Sequence, residues 1–117
     1  MATDLVGNVK LQRFIELLAM LNHQTVDAIK SGRTPVLEKM NATIEEMYSI
    51  QHGGTEDAYT AIEEDAQTIY KNFDAIAVMM NSNEGNMADT ATNLAVKKFL
   101  HNIFDATVNI MTAYGLV

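Results

Sequence analysis

The stretch that decides the fold is TEDAYTAIEEDAQTIYKNFDAIAVMM, residues 55–80. Apolar residues recur along it at alternating steps of three and four, the spacing that places side chains on one face of an α-helix. These residues are Tyr59, Ile62, Ala66, Ile69, Phe73, Ile76 and Met80. Most of the residues between them are charged or polar. The stretch therefore predicts one helix over residues 55–81, with an apolar face and a polar face.

Three further helical patterns occupy the rest of the chain. Their apolar spacing and the turn residues that follow them predict helices over residues 4–31, 35–51 and 87–114. No stretch shows the alternation of a β-strand. Because short turns place consecutive helices antiparallel, we expect an all-α fold: an up-down-up-down four-helix bundle that forms a single domain over residues 1–117.

Composition supports a folded domain and excludes several kinds of chemistry. With 117 residues, 48% hydrophobic content and one Pro, the chain differs from disordered sequences. At this length, about 65% of the unfolded surface can be buried on folding. The chain has no cysteine, which excludes disulfides, thiol catalysis and cysteine-ligated metal centres.

Charge and hydropathy indicate the compartment and the class of partner. The net charge is -7, and residues 55–81 contain six acidic residues and one basic residue. This distribution offers no phosphate-binding patch, so we expect no nucleic-acid partner. The start of the chain lacks a basic segment followed by an apolar run, and no apolar run approaches the roughly 20 residues that cross a bilayer. We therefore expect a soluble cytoplasmic protein with no membrane partner.

The first predicted helix carries apolar residues that its own bundle does not account for. The second helix is shorter and is expected to leave the start of the first uncovered, including Leu5, Val9 and Leu11. Leu17 and Met20 are expected to lie outside the main apolar face, among polar neighbours. We expect this helix to bind a protein partner or a second copy of the chain, as a homodimer, through Leu5, Val9, Leu17 and Met20.

A second apolar surface is predicted where the third helix ends. The chain has eight methionines, and Met79, Met80 and Met87 cluster near this point. Val78 is apolar at a position that should face water. Because flexible thioethers adapt to different partners, Val78, Met79 and Met87 predict a pocket for a partner helix at this tip.

Two histidines are the candidate carriers of chemistry. His23 precedes Asp27 by four residues, and His101 precedes Asp105 by four, so each pair shares one helix face. Such pairs on neighbouring helices are compatible with a metal site, but both fall on polar faces, where solvated pairs are the simpler interpretation.

The chain also resembles histidine phosphotransfer domains in format. Those are acidic four-helix bundles with an exposed histidine that carries a phosphoryl group. The resemblance implies a phosphoacceptor at His23 or His101. The family's Lys and then Gly shortly after the histidine follow neither residue, and the aspartate one turn away would repel a phosphoryl group.

The remaining polar clusters favour binding over catalysis. The run Glu63-Glu64-Asp65 flanks the apolar face on its outer side, which is typical of a solvated surface. The sequence has no Gly-rich phosphate loop and no nucleophile motif. We therefore expect a non-catalytic adaptor, chaperone or assembly component without a cofactor. The alternative is a phosphotransfer or metal-using signalling domain.

Overall fold

Five helices make up nearly all of the chain that the computed structural model describes, which is residues 8–31, 34–54, 57–82 and 90–116. They are α1 (Val9–Ser31), α2 (Thr34–Gly53), α3 (Asp57–Ala61), α4 (Glu63–Ser82) and α5 (Thr90–Ala113). These residues include no strand, so the predicted all-α class is confirmed.

The ends of the helices follow local capping. The N–H of Leu11 donates to the Asn8 Oδ1 atom at 3.0 Å, so Asn8 caps α1, which begins at Val9. The predicted helical residues 4–7 lie outside the described part of the chain. At the other end of the chain, Gly115 has a φ of 73°, and the N–H of Leu116 donates to the Met111 carbonyl at 2.8 Å. This left-handed glycine cap ends α5 where the sequence predicted.

The deciding stretch is interrupted at Ile62, where the sequence predicted one unbroken helix. The Ile62 N–H donates to the Tyr59 carbonyl at 3.3 Å. This hydrogen bond spans three residues, as in a 3₁₀ turn, instead of the four residues of an α-helix. The carbonyl of Ala58, which an unbroken helix would offer to that N–H, accepts a hydrogen bond from the Tyr114 hydroxyl at 3.0 Å. A contact from the far end of the chain therefore accompanies the division into α3 and α4.

The core lies where the deciding stretch meets its neighbours. α4 packs on α5, and α1 packs on both α2 and α5, whereas α2 and α4 contact each other much less extensively. The seam residues Tyr59, Ile62, Ala66, Ile69, Phe73 and Ile76 are all buried. The rings of Phe14 on α1 and Tyr59 on α3 meet edge to face, with centroids 5.5 Å apart. The molecule is elongated, with dimensions of 47 × 25 × 21 Å.

Candidate partner-binding groove

One tyrosine joins α2 to α4 at the end of α2 nearest α3. The Tyr70 hydroxyl donates to the Gln51 Oε1 atom at 2.5 Å, and the Tyr70 ring meets the Tyr48 ring at 73° with centroids 5.2 Å apart. Burial raises the pKa of the Tyr70 phenol above its usual range, so this hydroxyl remains protonated and able to donate. The hydrogen bond and ring contact hold α2 and α4 together at this end.

Away from this contact, α2 and α4 line an open surface cavity, which we call the α2–α4 groove. It consists of two adjoining cavities of about 380 and 310 Å³ that share Asn41 and Phe73. Tyr48 is 48% exposed, so the groove opens to solvent. Most of its lining is apolar: Leu37, Ile44 and Tyr48 from α2, and Tyr70, Phe73, Ile76, Ala77 and Met80 from α4.

Carboxylates supply the charge of the groove. Glu38 and Glu45 line it from α2, and Asp74 lines it from α4, whereas no Lys, Arg or His of the described part of the chain does. The Asn41 side-chain amide donates to the Glu45 Oε1 atom at 3.3 Å. Among the described residues, the three carboxylates take part in no ion pair. The groove is therefore apolar with negatively charged groups on both of its sides.

The predicted surface on the first helix divides into exposed and buried residues. Val9 is 77% exposed and Met20 is 43% exposed, as a contact surface requires. Leu17 is only 1% exposed, and Leu11 is fully buried, so the predicted placement of both residues was wrong. Leu17 follows Phe14 by three residues and precedes Leu21 by four, which places it on the stripe that α1 buries against two helices. The predicted contact at Leu5 lies outside the described residues.

The predicted apolar tip lies beside the α2–α4 groove and only partly in it. Val78 is 63% exposed, Met79 is half-buried and packs against the core, and Met87 lies outside the described part of the chain. The neighbouring Ala77 and Met80 line the groove. The structure thus places Ala77 and Met80 in the groove, whereas the sequence indicated their chain neighbours Val78 and Met79.

The histidine–aspartate pairs are not gathered into one site. His23, Asp27, His101 and Asp105 are all exposed, as their polar faces predicted. Within the described residues, no group of three or more His, Asp or Glu side chains is placed to hold a metal ion. The predicted alternative of a metal site at these four residues is therefore not supported.

His101 nevertheless has a neighbour that the sequence did not indicate. Together with Lys30 of α1, it lines a small surface cavity of about 180 Å³, whose other walls are Val26, Ile29 and Phe104. An exposed histidine on a helix is thus placed near a cationic side chain from another helix.

The α2 side of the groove was not recognised from the sequence, although a signal was present. Leu37, Asn41, Ile44 and Tyr48 follow one another at steps of four, three and four, so they form their own stripe on α2. Met40 and Met47 lie on the fully buried side of the same helix. Two apolar stripes on one helix indicate two contact surfaces. The fold buries Leu37 and Ile44 of the second stripe as well and leaves Tyr48 exposed.

Comparison with protein-family models, with curated proteins and with solved structures finds no match to this chain. A search of the described residues for helices that are long and apolar enough to cross a membrane likewise finds none.

Proposed function

We propose that this chain is a non-catalytic interaction protein, an up-down-up-down four-helix bundle whose α2–α4 groove binds a helix of a partner protein. Two hydrogen bonds support the antiparallel arrangement of α4 and α5. Asn109 donates to Asp65 at 3.2 Å and Asn102 donates to Asn72 at 3.0 Å. The later residue of α4 is thus bonded to the earlier residue of α5, as expected for antiparallel helices. In this topology α3 and α4 together form the third helix of the bundle.

The proposal is supported mainly by the groove itself: apolar side chains of α2 and α4 line one open cavity between two helices that contact each other little. Leu37 and Ile44 on α2 face the same groove as Phe73 and Met80 on α4. A helix that places apolar side chains at i, i+3, i+4 and i+7 would fill such a groove and cover its lining. The apolar surface left for such a helix belongs mainly to Tyr48, Ala77 and Met80, because Leu37 and Ile44 are already buried within the chain.

The exposed residues of α1 support a second mode of association. Val9 and Met20 leave apolar surface in contact with water on a helix whose other side is buried in the core. A homodimer through α1 would cover them without involving the groove. Substitutions in the groove and on α1 therefore separate the two modes.

A panel of synthetic peptides tests the groove. Each peptide is about 15 residues long and carries leucines at steps of three and four, and the panel differs only in its polar residues. We expect at least one peptide to bind by fluorescence anisotropy. Ala77→Trp, which fills the groove, should weaken that binding by about tenfold or more. Ala42→Trp, at an exposed α2 position outside the groove lining, is the matched control.

Two results would overturn the groove proposal. One is that no peptide of the panel binds to the wild-type chain at any concentration reached. The other is that Ala77→Trp binds the peptides as well as Ala42→Trp does. Sedimentation of a Met20→Lys variant then reports on association through α1, because that substitution leaves the groove unchanged.

The second candidate function is phosphotransfer, and the cavity that His101 and Lys30 both line favours it. A cation near an imidazole would help to hold the negative charge of a transferred phosphoryl group. Incubation with a small phosphoryl donor such as phosphoramidate, followed by intact-mass measurement, tests it. A phosphorylated species that is lost in His101→Gln and kept in His23→Gln would support this function. An unmodified wild-type chain would exclude it for that donor.

A further inference from the structure

From the charges that line the α2–α4 groove, we infer that its occupant is an amphipathic helix of a partner protein whose apolar stripe is bordered by lysine or arginine. This inference rests on the proposed function and specifies the chemistry of the partner. It depends on the carboxylates of the groove and on their spacing.

The carboxylates lie on both sides of the groove. Glu38 and Glu45 are seven residues apart on α2, which places them on the same face, about 10 Å apart along the helix axis. Asp74 stands across the groove on α4, in the same cavity as Glu45. A bound helix with two cationic residues one heptad apart on one edge and one on the other edge would pair with all three.

These carboxylates have no cationic partner among the described residues. The ion pairs among the described residues join Arg13 to Glu16 and Glu46, on the side where α1 meets α2. Glu38 and Glu45 are exposed, and so is Asp74. No cation of the described residues would therefore have to be displaced when a basic helix binds.

The wider charge distribution acts in the same direction. The chain carries a net charge of -7, and the segment that includes α4 has one basic residue against six acidic ones. An acidic helix in the groove would bring like charges together, which costs free energy and slows encounter. A basic helix is attracted from a distance and then held by its apolar side chains.

The binding test uses three peptides with one leucine stripe and with lysine, glutamine or glutamate as the bordering residues. We expect the lysine peptide to bind at least about tenfold more tightly than the glutamine peptide, because three exposed ion pairs contribute modestly each. The glutamate peptide should bind most weakly. Binding of the lysine peptide should also weaken as salt is added, since salt screens exposed charges.

A matched pair of charge reversals separates the effect of the groove carboxylates on binding from the effect of the net charge of the chain. Glu38→Lys changes a groove carboxylate, and Glu64→Lys makes the same change at an exposed glutamate that does not line the groove. Both residues lie near the start of their helices. Glu38→Lys should weaken binding of the lysine peptide severalfold more than Glu64→Lys, with circular dichroism confirming that both variants fold.

Each contrary outcome has a distinct meaning. Equal binding of the lysine and glutamine peptides, or equal effects of the two reversals, would overturn the basic partner and leave the groove proposal standing. No binding of any peptide would overturn both.

A second copy of the chain is the other possible occupant, because Leu94, Lys97 and Lys98 form an exposed stripe on α5. Concentration-dependent sedimentation that is lost in the double variant Lys97→Glu and Lys98→Glu would assign the groove to that stripe and overturn the separate partner.

Discussion

The two sides of α4 differ in how far they are closed. Toward α5, Ile69 and Ile103 are fully buried, and hydrogen bonds such as Asn102 to Asn72 cross between the helices. Toward α2, the contact is concentrated around Tyr70, and beyond it the helices line an open groove. The α2 residues there include Asn41 and Glu45, which would lose hydration if the helices closed. The hydrogen bond from Asn41 to Glu45 would offset only part of that loss, which disfavours closure on this side.

Truncation of a core residue should have the largest effect on stability. Ile103→Ala removes a fully buried side chain from the closed side and should cost about 2–5 kcal/mol of unfolding free energy. Met80→Ala, at the half-buried edge of the groove, should cost only about 1 kcal/mol. Urea unfolding followed by circular dichroism measures both values. Equal costs would mean that the groove is closed in solution.

The hydroxyl that joins α2 to α4 should have the next largest effect. Tyr70→Phe leaves the buried Gln51 oxygen without its donor and should cost about 1–3 kcal/mol. Tyr48→Phe is the control, because Tyr48 is 48% exposed, and it should change stability by less than about 0.5 kcal/mol. If both variants unfold at the same urea concentration, Tyr70 does not hold the two helices together through its hydroxyl.

Alkaline pH should weaken the same contact. Burial raises the pKa of the Tyr70 and Tyr114 phenols above their unfolded value of about 10. A group with a raised pKa in the folded state contributes stability that is complete below its unfolded pKa and is lost as pH rises toward the folded one. We expect stability to fall above about pH 10, and to fall less steeply in Tyr70→Phe. Urea unfolding followed by circular dichroism at a series of pH values measures the stability of both chains. Identical pH profiles for both chains would contradict the assignment.

The smallest effect on stability is expected at the contact between α1 and α2, which a surface ion pair bridges. The Arg13 guanidinium contacts both oxygens of Glu46, at 2.7 and 3.1 Å, and holds the pKa of that carboxyl below its usual range. A lowered pKa gives stability above the unfolded value that is lost as pH falls through the folded one. Arg13→Gln should therefore destabilise slightly at neutral pH and not at acid pH.

A double-mutant cycle with Glu46→Gln measures the coupling between these two side chains. Because both are exposed, we expect a small coupling energy that decreases as salt is added. A coupling that persists at high salt would contradict a screened surface pair.

The sequence predicted the closed part of this fold better than the open part. The apolar spacing of Tyr59 to Ile76 was sufficient to assign those residues to the core, because the helical period alone decides which side chains share a face. The break at Ile62 was not predictable in this way. It accompanies a hydrogen bond from Tyr114, and no local pattern reports a contact between such distant residues.

The candidate site was predicted only in part for a similar reason. The sequence indicated an apolar surface near Val78 and Met79, and the structure places the groove on the adjacent side of that helix, at Ala77 and Met80. Leu17 was misplaced because it was expected outside the main apolar face of the first helix, whereas α1 packs against two helices and buries it. Which of two apolar stripes remains open depends on how the helices are arranged, and spacing alone does not contain that information.

A methyl-resolved NMR titration of the chain with the lysine-bordered peptide tests directly whether a basic helix binds in the α2–α4 groove. If the peptide binds in the groove, we expect shifts at the groove methyl groups of Ile44, Ile76 and Met80. We expect none at the closed-side residues Leu100, Ile103 and Ile110. Shifts confined to Met20 and Val9, or spread equally over both sets of methyl groups, would contradict it.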